Sequence, residues 1–175
     1  MSTRNYSPST ISVIGDLMNG IQVETSALAA ATYMRTGPTQ TEIFNVYGRV
    51  KIHELFGEVG TAAFSNHACV LYYTYTSTSP AIAVAPLCAA SASLAQLAVG
   101  ERIAWIGGAV ATAAVLTATP GITDVARIPQ IVGVKDGVGT IGINTATASI
   151  TGTATVTFNI FYSPMSDGAY ISARL

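Results

Sequence analysis

The sequence predicts an all-β protein: an antiparallel β-sandwich of jelly-roll type, with at most one or two short helices. Three observations carry this. Residues 43 to 53 alternate apolar and polar with a period of two, the mark of a half-buried strand. Further short runs rich in Val, Ile, Thr and Tyr recur along the chain, separated by Gly, Pro and Asp-Gly turn residues. Ala and Thr together supply 49 of the 175 residues, and small or β-branched side chains suit closely packed sheets.

Taken in chain order, Asn5 to Met34 carries mixed apolar and polar spacing. Residues 1–38 are therefore read as an N-terminal arm or extension and 39–175 as the sandwich domain, with Pro38 between Gly37 and Thr39 at the boundary. In the run 43–53, Phe44, Val46, Val50 and Ile52 fall on one face, and Asn45, Tyr47, Arg49, Lys51 and His53 on the other. Gly57 and Gly60 then interrupt Leu55 to Thr61, where a bulge or bend would turn a corner. Ala68 to Thr78 reads as the next strand, with Val70, Tyr72, Thr74 and Thr76 alternating with Cys69, Leu71, Tyr73 and Tyr75.

Leu87, Ala90, Leu94 and Leu97 have helix-like spacing, so 87–98 is the best helical candidate. Short strands are expected at Ile103 to Ile106, Val110 to Leu116, Ile128 to Val134, Gly139 to Ile143, Ala146 to Ile150 and Thr153 to Ser163. Turns are expected at Pro120-Gly121, Asp136-Gly137 and Asp167-Gly168.

Charge narrows the partners. Eight Lys plus Arg against nine Asp plus Glu give a net charge of -1, with no basic run, so no nucleic-acid partner is expected. Only 10% of residues are charged, against about 25% in an average soluble protein. A surface so poor in charge is expected to be covered in part by another subunit.

The windows Ala81 to Gly100 and Ile103 to Ile122 have the length of membrane spans. They are interrupted by Pro86, Gly107-Gly108 and Pro120, and no Lys/Arg-rich flank would orient them, so no membrane partner is expected. The start lacks an apolar signal region, which points to synthesis in a reducing cytoplasm. Cys69 and Cys88 are read as buried apolar fillers, and Asn5-Tyr6-Ser7 as a sequon without a role.

No catalytic constellation emerges, and neither cofactor, metal nor small-molecule substrate is expected. Gly137-Val-Gly139-Thr-Ile-Gly142 matches the dinucleotide-binding glycine pattern, but β-branched residues follow where a helix is required. His53-Glu54-Leu55-Phe56 lacks the second histidine of a zinc protease at position 57. No Gly-x-Ser-x-Gly elbow occurs, and no spacing nominates a carboxylate pair.

Two stretches carry a resemblance. The run Pro38-Thr-Gln-Thr-Glu-Ile-Phe-Asn-Val-Tyr-Gly-Arg-Val-Lys-Ile-His-Glu-Leu-Phe-Gly-Glu-Val-Gly-Thr61 resembles the opening strands of small structural proteins encoded beside capsid genes in tailed bacteriophages. Val156-Thr-Phe-Asn-Ile-Phe-Tyr-Ser-Pro-Met-Ser-Asp-Gly-Ala-Tyr-Ile-Ser-Ala173 is similar to their final aromatic strand, Pro-containing turn and tail. The resemblance implies a capsid decoration, or cement, protein: a non-enzymatic homotrimer on the virion surface, bound to the major capsid protein. The alternatives are another virion component, such as a head-fibre base, tail or baseplate protein, and a host-carbohydrate-binding jelly roll using Tyr72, Tyr73 and Tyr75. Alternation sets Tyr72 opposite the other two.

Expected interaction residues are Arg4 and Tyr6 in the arm, with Ile11 to Leu17, and Tyr47, Arg49 and Lys51 on the polar face of 43–53. Trp105, the only tryptophan, and Tyr170, near Phe158, Phe161 and Tyr162, complete the set.

Overall fold

The computed structural model describes residues 20–34, 41–61, 64–76, 83–105, 115–117, 129–145 and 152–174. These form two antiparallel sheets enclosing one apolar core. In chain order the elements are β1 (Ile21–Glu24), β2 (Leu28–Ala29), α1 (Ala30–Tyr33), β3 (Thr41–Tyr47), β4 (Val50–Thr61), β5 (Cys69–Thr76), β6 (Ala83–Pro86) and a 3-10 turn (Leu94–Gln96). Then follow β7 (Arg102–Trp105), β8 (Val115–Thr117), β9 (Gln130–Val132), β10 (Val138–Thr145), β11 (Thr155–Pro164) and β12 (Tyr170–Ala173). The larger sheet runs β1-β11-β4-β7-β8, with β2 also on β11 and β9 also on β4; the smaller runs β12-β3-β10-β5-β6. The expected all-β sandwich is what the chain forms.

The period-two pattern at 43–53 is divided between the two sheets. β3 belongs to the smaller sheet and β4 to the larger, and the chain changes sheet at Gly48-Arg49, where Gly48 takes a φ of +70°. The corner therefore lies at Gly48, not at Gly57 or Gly60. Inward parity survives because two residues are spent in the corner: Phe44 and Val46 enter the core from one side, Val50 and Ile52 from the other. Ile43 is also buried, because a bulge against Ile141/Gly142 leaves it without a register partner.

The β4–β11 ladder is the centre of the larger sheet. Its register runs from Thr155↔Thr61 to Pro164↔Val50 and shifts at Gly60 and at His53. Gly57 lies within the continuous strand opposite Phe158, whose ring occupies the space a Gly57 side chain would need. The inward residues Leu55, Val59, Val156, Phe158 and Ile160 are all buried.

Residues 20–34, expected in the arm, are part of the sandwich. β1 pairs with β11 from Ile21↔Tyr162 to Glu24↔Asn159, and β2 pairs further along the same strand. Between them the buried Thr25 uses its hydroxyl to accept the Phe158 N–H at 3.0 Å, replacing the ladder bond lost where the strand breaks. Leu28, Ala30 and Met34 close that edge of the core. Arg4, Tyr6 and Ile11 to Leu17, like the boundary at Pro38 and the strand expected at Ala146 to Ile150, lie outside the described residues.

The helix expected at 87–98 is reduced to the Leu94–Gln96 turn, N-capped by Ser93. Its apolar spacing still reports burial, for Leu87, Leu94 and Leu97 are all inside. The segment lies along the start of β5: Leu87 N–H donates to Leu71 O, Ser91 N–H to Cys69 O and Leu94 N–H to His67 O. These external partners replace the i→i−4 bonds of a helix. Among the described residues no helix is long and apolar enough to cross a membrane.

Cys69 and Cys88 are free and buried. Burial pushes the Cys69 thiol up to about 12, and the neighbouring Cys88 acts in the same direction, against a hydrogen bond from Ser91. Because the thiolate is the reactive form, the native protein at pH 8 is expected to leave a disulfide-exchange reagent unreacted. Two equivalents should react in denaturant, and prompt reaction of the native chain would contradict this packing.

Candidate functional site

The Gly48-Arg49 corner gathers one end of the molecule. Arg49 O accepts from Met165 N–H at 2.8 Å, Gly48 N–H donates to Gly137 O at 2.8 Å, and Arg49 N–H donates to Ser166 Oγ at 3.1 Å. Three chain segments thus meet there: the corner, the 133–137 turn between β9 and β10, and the 165–169 turn between β11 and β12. Gly133, with a φ of +86°, passes so close that a Cβ would collide with Gly48 O.

On this frame the register places Val138, Tyr47 and Tyr170 in one row across the outer face of the smaller sheet. The two tyrosine rings stack with centroids 4.3 Å apart and planes 15° from parallel. Ile131, Lys51 and Ser163 form a second row, on the outer face of the larger sheet and so on the opposite side of the sandwich. Six large apolar side chains are exposed among the described residues, and five of them, Ile131, Val134, Val138, Met165 and Tyr170, are at this end; the sixth is Val99. Soluble monomers rarely gather exposed apolar groups in this way, and such patches mark interaction surfaces. Arg49, in the corner, is exposed, and Lys51, beside Ile131 on the larger sheet, is half-buried.

Tyr47 and Tyr170 are in contact, but Lys51 faces outward from the larger sheet, so the single polar face expected for Tyr47, Arg49 and Lys51 is divided by the change of sheet at Gly48; all four residues are exposed or half-buried at this end. Trp105 is not. It faces the core opposite Leu55, is 2% exposed, and donates its indole N–H to Leu87 O at 2.8 Å. Its expected contact role is corrected to an internal one: the ring fills the core and its polar atom is satisfied there. Trp105→Phe is expected to cost about 1–3 kcal/mol by orphaning the Leu87 carbonyl. The measurement is a thermal melt beside light scattering, with the melt lowered and the solution mass unchanged.

The tyrosines of β5 do not make a platform. Tyr73 shares a face with buried Ile141 and lies over Gly139, and Tyr75 over Gly137, while Tyr72 is on the alternate face. Burial drives the Tyr73 hydroxyl up to about 12, with Tyr75 adding to the shift.

A second feature crosses the outer face of the larger sheet toward the other end of β4, a groove of about 350 Å³. Gln22 and Glu24 reach it from β1, Thr157 and Asn159 from β11, Phe56, Glu58 and Gly60 from β4, and Arg102 from β7. Arg102 donates from Nε and Nη2 to Glu58 Oε2 at 3.2 and 3.1 Å, and its guanidinium lies 4.5 Å over the Phe56 ring. Gln22 donates to Asn159 Oδ1 at 2.9 Å. These residues come from four strands far apart in sequence, so no spacing could have nominated them. The only local hint was the outward parity of Phe56 and Glu58.

The tested catalytic patterns have structural explanations. The glycine pattern 137–142 lies in a turn and in β10, which runs on as a strand to Thr145 where the dinucleotide pattern requires a helix. His53 meets Ser163 Oγ at 2.7 Å, and burial together with Lys51 lowers its pKa. Among the described residues no three His, Cys, Asp or Glu side chains cluster to hold a metal ion.

The fold and surface define a β-sandwich with one apolar end and one polar groove. No family model, curated protein or solved structure matches the chain.

Proposed function

We propose that this chain is a non-enzymatic structural component of a tailed-phage virion, a decoration protein that binds the major capsid protein as a homotrimer and cements the shell. The observation that carries the reading is the apolar end around Gly48-Arg49, where Val138, Tyr47 and Tyr170 form one row and Val134 and Met165 are exposed in the flanking turns. A patch centred on stacked tyrosines with Arg49 in the adjoining corner has the composition of a protein contact, with aromatic anchors inside and charge at the edge.

Three further features support the same reading. The low charge of the whole chain favours assembly over isolation. Successive strands pass from one sheet to the other at β2 to β3 to β4 to β5 and at β9 to β10 to β11 to β12, as in the jelly rolls of capsid proteins. The two sequence stretches that resemble phage structural proteins, 38–61 and 156–173, supply β3, the corner, β4, the 165–169 turn and β12, and with them Tyr47, Met165 and Tyr170 of the patch, while Ile131, Val134 and Val138 come from the segment between them.

The mechanism is adhesion. A subunit that binds only the assembled lattice stabilises that lattice by its binding free energy, and three equivalent contacts on one trimer add avidity. The test is to mix purified protein with undecorated heads, sediment the heads and measure bound protein, alongside light scattering of the free protein. Saturable binding and a mass about three times the 18.0 kDa chain support the proposal. A monomer that stays in the supernatant at all concentrations contradicts it.

A further inference from the structure

We propose that the groove across β1, β11, β4 and β7 binds a neutral saccharide, whose hydroxyl groups are held by Glu24, Glu58, Arg102 and Asn159. The site is distinct from the apolar end, since Glu58 lies eight residues along β4 from Val50, about 25 Å at the rise of a strand.

The lining is polar where a site for an apolar ligand would be predominantly hydrophobic. Carboxylate, amide and guanidinium groups each offer two coplanar hydrogen-bonding positions, which suit pairs of neighbouring hydroxyls on a sugar ring. Unused capacity remains in the groove. The two hydrogen bonds from Arg102 to Glu58 both go to Oε2, and Glu58 Oε1 accepts none among the described residues. Asn159 is 6% exposed; its oxygen is taken by Gln22, and its amide nitrogen donates to no described residue. That nitrogen is open to an acceptor carried by a ligand in the groove.

The groups are also held in place before any ligand arrives. Arg102 is fixed between Glu58 and the Phe56 face, and the Asn159 amide is oriented by Gln22. Binding therefore orders few side chains.

Charge selects the sugar class. Glu24 and Glu58 against Arg102 leave the lining net negative, and the one guanidinium is already paired. Sialic acids, uronic acids, sulfated sugars and nucleic acids would meet a repulsive surface. Neutral hexoses and N-acetylhexosamines would not. The volume of about 350 Å³ is at the small end of ligand clefts.

The experiment applies the full-length protein to an array of neutral, N-acetylated, sialylated and sulfated oligosaccharides, followed by calorimetric titration with the best neutral binder. Wild type, Glu24→Ala and Glu58→Gln are compared, with melting curves for each. The expected result is binding confined to neutral or N-acetylated glycans and weakened at least tenfold in both variants. Glu24 is exposed and outside the core, so its variant tests binding even if Glu58→Gln melts early. Absence of any neutral binder, preference for acidic glycans, or unchanged affinity in Glu24→Ala would overturn the proposal. Head binding uses the other end of the molecule and is read separately, so failure of one proposal is distinguishable from failure of the other.

Discussion

Replacing Gly133 with alanine is expected to lower stability by about 3 kcal/mol and to loosen the end of the molecule that carries the apolar patch. Two costs add. A φ of +86° is unfavourable for any residue with a Cβ, by about 1–2 kcal/mol. The new Cβ would also be driven into the carbonyl of Gly48, a backbone atom that cannot rotate away, and overpacking of this kind costs about 1–3 kcal/mol. The corner cannot shift freely, because Gly48 is itself packed against Ser166 and Ala169. Gly168→Ala provides the control. Gly168 has a φ of +70° but nothing within 4 Å of its would-be Cβ, so only the conformational cost applies there. In thermal melts Gly133→Ala should fall by roughly 6–12 °C and Gly168→Ala by less than half as much. Equal shifts would show that Gly133 is not clamped against the corner.

Phe158→Ala is expected to be the more damaging change, at about 3–5 kcal/mol. Phe158 is 2% exposed at the middle of the central ladder, and its ring covers the bare backbone of Gly57 on the facing strand. A Gly57 side chain would approach Phe158 Cε1 to 2.8 Å and Val156 Cγ1 to 2.7 Å. Gly57→Ala alone should therefore destabilise by overpacking, while in the Phe158→Ala background the added methyl enters space the ring has left. A double-mutant cycle by urea denaturation should show this as favourable coupling of about 1 kcal/mol or more. Simple additivity would mean that ring and glycine do not share one space.

Legibility followed the physics of local alternation. Phe44, Val46, Val50 and Ile52 were readable as inward because parity is a property of neighbouring residues, yet the corner between them was hidden: a two-residue connection preserves that parity. Gly57 and Gly60 looked like breaks because glycine weakens strands. Only Gly60 sits at a register shift, and Gly57 is tolerated because Phe158 covers it. Ile21–Glu24 was not distinguishable from an arm, since four residues with a half-buried pattern become a strand only when β11 supplies the partner. Leu87, Leu94 and Leu97 had the spacing of a helix but are buried from an irregular segment whose backbone bonds go to residues 67–71.

The surface was legible in the same uneven way. Tyr47 and Lys51 were readable as outward from alternation alone, but the corner at Gly48 puts them on different sheets; Tyr170 joins Tyr47 because β12 pairs with β3 in register. Ile131, Val134, Val138 and Met165 complete the patch through turns that no local pattern relates. Trp105 misled because aromatic character serves a core as well as an interface, and its Leu87 hydrogen bond is a tertiary fact.

The most direct test of the adhesive role is the affinity for undecorated heads of wild type against a Val138→Asp/Tyr170→Asp double variant, measured by sedimentation across a concentration series with equal melting temperatures confirmed first. Both residues are exposed, so folding should be retained while two charges are placed in the patch. Binding weakened a hundredfold or more is the predicted result, and heads decorated equally well by both proteins would contradict the assignment of the Gly48-Arg49 end as the docking surface.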